Sequence, residues 1–515
     1  MEEYKVLITT SGLGSRLGEI TDYTNKSLVR VADKPSISYI IESYPKGTKF
    51  VISLGHFGDQ VKQFLELAYD DYDFTFVEVD KYKGDGSSLG YSIYQCKDKL
   101  QCPFIFHASD TIINDYVVIP PHFNYSISSN KEDSSQYRTV LCKQDELLKI
   151  NEKGALGYDF SYIGVCGVND YQLFFDYLEK LLNDNFPDIS DVHVINCMLK
   201  DCKFKSTTIE SKNWFDVGNV TELNRTKKSF HSNIEVLDKK DESIFFFDEF
   251  IIKFFYNKEI CQNRVSRALK LNGLVPEILD HTENFYKYKK AEGDLLSKCV
   301  KRNTFIQLLN WTKNNLWELK NCDNFSDLCY DFYITKTKKR ISEYLKNNTD
   351  SLIINGCEVG DIWSLIENID TEWLSKGIPC QFHGDFILDN IIKTNSDFCL
   401  IDWRQDFAGR LDVGDIYYDL AKMNHNLVVN HDIVNKSLFS FDSNDTYILT
   451  NSTLIECKNI LHKFIIDNGY DLDKVELLTS IIWINMSPLH EYPFNNFLFN
   501  FGKYNLYQIL NKQLK

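Results

Sequence analysis

An aspartate, an asparagine five residues later and a second aspartate beyond a short apolar stretch occur as Asp385, Asn390 and Asp402. This trio suits phosphoryl transfer from ATP to a hydroxyl. The first carboxylate orients the attacking hydroxyl and takes its proton, while the amide and the later carboxylate hold Mg²⁺ on the nucleotide phosphates. A different constellation stands near the start of the chain. Gly12 and Gly14 directly follow an apolar run, so the backbone turns sharply there and aims several N–H groups at one point, an anion cradle that includes Ser15. Arg16 adds a planar donor fork for phosphate oxygens, and Lys26 adds a mobile point charge.

The elements that must position these groups are legible as period. Over the first 110 residues, short apolar runs alternate with helix-like stretches. The pattern predicts strands at 5–10, 50–54, 74–79 and 104–107 and helices at 37–44 and 59–68. A mostly parallel sheet with flanking helices follows, with ligands at the carboxyl ends of its strands, where loops 10–21 and 108–111 lie. The pattern changes between about residues 219 and 240, which places a boundary near 231. Beyond it, runs 243–247 and 249–255 read as strands. The sequence from 261 onward then reads as mainly helical, apart from a strand–loop–strand signal between Gln381 and Trp403.

The segment from Ser11 to Glu42 resembles the opening of the nucleoside-diphosphate-sugar pyrophosphorylases and their phosphocholine-activating relatives. The matching residues are Gly12, Gly14, Arg16, Thr21, Lys26, Leu28, Lys34, Pro35 and Glu42. Asn25 stands where that family usually has Pro, and Thr9-Thr10-Ser11 where it usually has two alanines before the glycine. The resemblance extends over about 220 residues. It implies that Gly86 and Ser87, in GDGSSLG, recognise the nucleotide base, that Asp110 and Asp216 bind metal, and that Glu152 and Lys153 contact the phosphorylated acceptor. Gly154 replaces a proline in the last of these segments. On this reading Arg16 and Lys26 hold the departing phosphates, while Mg²⁺ between the two aspartates bridges the α-phosphate and the acceptor.

The run from Phe382 to Asn390, followed by Ile401-Asp402-Trp403, resembles the H-G-D-x-x-x-x-N and I-D-W motifs of the aminoglycoside phosphotransferase and choline/ethanolamine kinase group. Asp385 is then the catalytic base, Asn390 and Asp402 are metal ligands, and His383 braces the loop. Lys253, in FIIKFF, looks like the strand lysine that pairs with nucleotide phosphates. Residues 287–296 look like the linker between two lobes, and Asp415 and Asp419 resemble the family's structural acids, with Asp419 read as a helix cap or loop anchor. No glycine-rich flap is visible around residues 236–243, and Glu259 is a poor ion-pair partner for Lys253.

At 515 residues the chain is too long for one core, and 43% hydrophobic with 25% charged residues is ordinary globular composition. A formal charge of −16 with no long Lys/Arg run excludes non-specific nucleic-acid binding. No stretch approaches the roughly 20 apolar residues of a membrane span, and the start lacks a signal-peptide pattern, so the expectation is a cytoplasmic enzyme. The 14 scattered cysteines read as free thiols.

The expected architecture is therefore α/β. A Rossmann-like, mostly parallel nucleotidyltransferase domain (1–230) precedes a bilobal protein-kinase-like α+β domain (231–515), with a small lobe to about 295 and a large lobe from about 296. The expected activity is ATP-dependent phosphorylation of a small hydroxylated metabolite, followed by nucleotidyl transfer from CTP or UTP. An NDP-sugar-like precursor for surface polysaccharide and a CDP-alcohol both fit as products. Loss of catalysis in one half is the rival reading. The partners are small molecules, and homo-oligomerisation is left open.

Overall fold

The computed structural model describes residues 4–130, 134–230, 239–442 and 445–513. Two compact units divide the chain, Met1–Cys261 with Leu279–Tyr288, and Gln262–Ile278 with Lys289–Lys515. Residues 231–238, beside the expected boundary and across the start of the expected flap region, lie outside the described residues.

The first unit is built on a nine-stranded sheet. Strands Asp73–Glu78, Lys49–Leu54, Lys5–Thr9 and Phe104–Ala108 run parallel in that spatial order. Phe160–Val168 then joins antiparallel, followed by Tyr125–Ser129, Lys205–Ile209, Glu146–Asn151 and Thr139–Lys143. Alternation along Lys5–Thr9 shows why this sheet is covered on both faces. Val6 and Ile8 enter one core with Phe50, Ile52 and Ile105, whereas Leu7 enters another with Val51, Phe104 and Phe106. Helices Ser36–Glu42 and Gly58–Ala68 supply the connections expected from the sequence. Because parallel strands end on the same side, Thr10, Gly55 and Ser109 all emerge at one edge, and the glycine loop starts there.

A four-stranded sheet follows, ordered Glu242–Phe246, Phe250–Phe255, Phe285–Lys289, Ile278–His281. The last two strands correct the expectation of helix from residue 261 onward and of a linker beginning at Lys287. The sequence EILDHTENFYKYK hides them, because charged residues break its apolar alternation and its turn, Thr282 to Asn284, is closed by hydrogen bonds rather than by glycine. The aromatic face of this sheet lies in a core of the first unit, where Phe64 meets Phe245 at 5.4 Å and Phe285 at 6.0 Å between ring centroids. Phe247, Ile252 and Phe254 are buried in the same cluster.

The second unit is mainly helical. Leu472–Met486 is buried over most of its length and packs against Ile416–Asn426 and Phe494–Gln513. A helix buried all round needs no polar stripe, which is why LLTSIIWIN reads as nearly continuous apolar sequence. In a small sheet of Asp294–Leu295, Ile391–Lys393 and Phe398–Leu400, the last two strands form the expected hairpin between Asn390 and Asp402. None of the helices among the described residues is long and apolar enough to cross a membrane.

Candidate active sites

In the first unit the polypeptide converges its charges on Gly218. A Cβ placed on that glycine would lie 3.0 Å from Asp216 Oδ1, 3.1 Å from Asp110 Oδ2 and 3.3 Å from Arg16 Nη2. Short strands 214–216 and 111–113 pair antiparallel with Asp216 opposite Thr111, and the Val217 amide donates to the Asp110 carbonyl at 3.0 Å. Two carboxylates far apart in sequence are thus held by backbone pairing. Lys26 Nζ lies 3.5 Å and Arg16 Nη2 3.8 Å from Asp110 Oδ2. Burial pushes the Asp110 carboxyl up, but Lys26 and Arg16 outweigh it and leave the group below the usual carboxylate range. Exposed Lys153 feels the cluster: partial desolvation, with Arg16 and Arg138, lowers its pKa against the opposing pull of Asp216 and Asp110.

The glycine loop holds the two cations. Gly14 has φ 71°, and a Cβ there would lie 3.0 Å from Lys26 Cβ and 3.1 Å from Thr21 Cγ2, so only glycine lets Lys26 approach. A side chain at Gly12 would meet open space, and Ser15 opens a short 3₁₀ segment, Ser15–Thr21, that carries the exposed Arg16. Asn25 is fully buried. It donates to the Thr10 carbonyl at 2.9 Å and the His56 carbonyl at 2.6 Å, and its Oδ1 accepts from the Ser27 amide at 2.9 Å. The departure from Pro therefore ties the loop to two strand ends. The departures at Thr10 and Ser11 are likewise buried and bonded, Thr10 Oγ1 to the Ser53 carbonyl and Ser11 Oγ to Ser92 Oγ.

Two expected contacts are differently engaged. Glu152 pairs with Arg138 at 3.1 Å and with His193 at 3.0 Å. Gly86 sits at φ 82° in an exposed turn, where the Ser87 hydroxyl donates to the Gly84 carbonyl at 2.7 Å. Tyr137, absent from the sequence reading, has its hydroxyl pushed up by burial and by Asp216 and Glu222 beside it.

In the second unit Asp385 is held from three sides. Lys422 Nζ lies 2.7 Å from Oδ1, Asn390 Nδ2 donates to Oδ2 at 3.1 Å, and the Asp385 amide donates to His383 Nδ1 at 3.2 Å. Burial raises the Asp385 pKa, yet Lys422 dominates the balance and holds the group at about 2. His383 is fully buried and bonded through Nε2 to the Ile401 carbonyl at 3.0 Å. Desolvation brings its pKa down to about 4, so it is a neutral brace. Asp419 accepts from the His383 amide at 2.9 Å, the Gly384 amide at 2.7 Å and the Trp317 indole at 3.1 Å, which makes it the loop anchor. The helix cap is Asp415, whose carboxylate accepts from the Tyr417 amide.

Arginines from helix Lys258–Lys270 complete the frame. Arg267 is buried against the carbonyls of Phe382, His383 and Arg404. Arg264 pairs with Asp402. Neither arginine, nor Lys422, was expected from the sequence; the only signal is their spacing, Arg264 with Arg267 and Asp419 with Lys422, each one helical turn apart on one face. Lys253 is buried in the middle of Phe250–Phe255, within the first unit.

Mg²⁺ is implied by both resemblances. In the first unit the Asp110 and Asp216 carboxylates face one point. That fits Mg²⁺, which takes one or two carboxylates and completes its shell with phosphates and water. In the second unit the Asn390 amide nitrogen is turned to Asp385, which leaves its oxygen for a cation beside Asp402.

Comparison with known proteins gives separate matches for two parts of the chain. Residues 330–433 match the phosphotransferase enzyme family. The N-terminal region is similar to choline-phosphate cytidylyltransferases. That of Streptococcus pneumoniae is 32% identical over 113 residues, 22% of this chain and 47% of the relative. That of Haemophilus influenzae is 24% identical over 149 residues, 28% of this chain and 61% of the relative. The chain thus spans about half the length of the curated relatives it matches. Among solved structures, the S. pneumoniae CTP:phosphocholine cytidylyltransferase is 20% identical, covering 44% of this chain and 98% of that one with TM-score 0.38. A glucose-1-phosphate thymidylyltransferase from Bacillus anthracis is also 20% identical, covering 46% and 98% with TM-score 0.39.

Proposed function

We propose that this chain is a bifunctional transferase that phosphorylates a small hydroxylated metabolite and then couples the phosphate ester to a nucleotide. The observation that carries the reading is the presence, in one chain, of two separate acidic centres, each fitted with cations: Asp110/Asp216 with Arg16 and Lys26, and Asp385/Asn390 with Lys422.

In the first step the acceptor hydroxyl oxygen bonds to the γ-phosphorus of ATP and the bridging P–O bond to ADP breaks. The hydroxyl proton passes to Asp385 and then to solvent. A carboxylate held at about pKa 2 is a weak base, so its main contribution is to orient the hydroxyl, with Lys422 and Asn390 fixing its two oxygens. In the second step a phosphate oxygen of the ester attacks the α-phosphorus of an NTP and pyrophosphate leaves. Arg16 and Lys26, both near Asp110, would hold the leaving phosphates. Asp110 with Asp216, and Asn390 with Asp402, would hold Mg²⁺, which neutralises phosphate charge in both steps.

The names of the cytidylyltransferase relatives favour CTP as the NTP and give a CDP-alcohol as product, whereas the sugar pyrophosphorylase likeness of the loop and of the Glu152-Lys153 segment favours a sugar-like acceptor. Either product suits the cytoplasmic synthesis of a surface polysaccharide.

The test supplies full-length protein with ATP, CTP or UTP, Mg²⁺ and a panel of sugars, hydroxy acids and amino alcohols, and follows ADP and pyrophosphate separately. Asp385→Ala should abolish phosphorylation but leave nucleotidyl transfer to a prepared phosphate ester. Asp110→Ala should do the reverse. Retention of either activity in its own variant would sink the assignment for that half.

A further inference from the structure

Beside Asp385 the second unit gathers more positive charge than the catalytic aspartate can balance. The chain makes one π-helical turn, Asp331–Thr335, before helix Lys336–Leu345. Phe332 and Lys336, four residues apart, consequently stand on one side, with Lys336 Nζ 4.2 Å from the centre of the Phe332 ring. The Arg404 guanidinium lies 5.0 Å from that same centre. Arg404 also borders the catalytic loop: its amide donates to the His383 carbonyl at 3.0 Å, and a Cβ on Gly384 would lie 2.7 Å from the Arg404 Cβ. Lys422 donates to Asp385 at 2.7 Å.

Among the described residues, no carboxylate lies within ion-pair distance of Lys336 or Arg404. Arg404 uses one nitrogen on the Asp406 carbonyl, and Asp406 spends a carboxylate oxygen on the Gly409 amide. Burial, with the charges of Arg404, Arg340 and Lys422, lowers the Lys336 pKa well below its ordinary value, with Asp406 opposing. Lys422 likewise feels Arg404 as a like charge. Half-buried cations that repel one another persist where a ligand supplies the missing negative charge. The phosphates of ATP need not supply it, because the kinase reading already gives them the cation at Asn390 and Asp402.

We propose that the acceptor phosphorylated by this unit carries an anionic group, a carboxylate or a phosphate, beside its reacting hydroxyl, and that Lys336 and Arg404 bind that group across the Phe332 ring. The inference rests on the kinase reading of Asp385. It disfavours choline or ethanolamine as the acceptor, since a quaternary or primary ammonium would meet like charge there. Chemically, the product would bear both the new phosphate and the original anion, and the first unit would receive a polyanionic ester.

The experiment uses the full-length protein with ATP and Mg²⁺ and measures ADP release with matched acceptors that differ in one group: glycerol, glycerate and glycerol 3-phosphate; a hexose, its uronate and its phosphate; choline and ethanolamine. Turnover confined to acidic members is expected, and the carboxylate and phosphate arms identify the anion. Lys336→Gln and Arg404→Gln should each raise the KM for the acidic acceptor at least tenfold while the KM for ATP moves less than twofold. Lys336→Arg should restore the acceptor KM to within threefold. Turnover of neutral or cationic members equal to the acidic ones, or an unchanged acceptor KM in both Gln variants, would overturn the anion inference and leave the kinase reading standing. Absence of turnover with every member would overturn both.

Discussion

Asp419→Ala should unfasten the catalytic loop from its helix. The carboxylate is fully buried and is the acceptor for the His383 and Gly384 amides and the Trp317 indole. Truncation orphans three buried donors at roughly 1 to 3 kcal/mol each, so a local loss of about 3 to 9 kcal/mol is expected. Asp419→Asn keeps one acceptor oxygen but turns an NH₂ toward a donor, and should cost about half as much. The pH dependence has a definite sign. Burial raises the Asp419 pKa to about 6, above the ordinary value of about 3.9. The stability this group contributes is therefore fully present below about pH 3.9 and is lost as the pH rises through 6. Neither variant has this dependence, so the Ala penalty should be larger at pH 5 than at pH 7 by about 1 kcal/mol. Because a chain with two compact units need not unfold in one step, the readout is hydrogen exchange of peptides spanning 380–390, with the temperature of unfolding in support. Protection within 1 kcal/mol of wild type at pH 7, or a penalty that shrinks toward pH 5, would refute the anchoring argument.

Further expectations follow from other positions. Lys422→Gln removes the ammonium that holds Asp385 at about 2, so the acid limb of kcat/KM for phosphorylation should move up by at least one pH unit, since the ionised form is the active one; an unmoved limb refutes the pairing. Gly14→Ala places a methyl 3.0 Å from Lys26 Cβ at φ 71° and should cost about 1 to 2 kcal/mol while lowering pyrophosphate release more than tenfold, as read by thermal shift and a coupled assay. Arg267→Met leaves the carbonyls of Phe382 and Arg404 without their donor, while the His383 carbonyl keeps the Arg404 amide, and should destabilise the second unit by about 2 to 4 kcal/mol in denaturant titration.

The parts of the sites that the sequence revealed are those whose chemistry dictates residue type at close spacing. Asp385 and Asn390 share one loop, and Gly14, Arg16 and Lys26 share one turn, so their relation survives in the linear string. Asp110 and Asp216 were found through family resemblance, and the strand pairing that unites them could not be read from either segment alone. Lys422, Arg264, Arg267, Lys336 and Arg404 stayed hidden for a different reason. Lysine and arginine are ordinary surface residues, and only packing reveals which ones turn inward. Asn25 shows the converse. It stands where the resembled family usually has Pro, and only its three buried hydrogen bonds show that it is a tie between loop and sheet. The strands at 278–281 and 285–289 were missed because charged residues interrupt their apolar alternation.

The aromatic core that joins the sheet of residues 242–289 to helix Gly58–Ala68 has a bearing on how such a chain could arise or be divided. Cleavage near residue 231, where the charge pattern looks most divisible, would strip Phe64 of Phe245 and Phe285 and expose a continuous greasy face on both products. Fragments made by that cut should cling to each other or precipitate. Recombination that exchanged one half for a foreign one would have to carry the strands of 242–288 along with the first 230 residues, so the heritable module here is longer than the catalytic motifs alone would suggest.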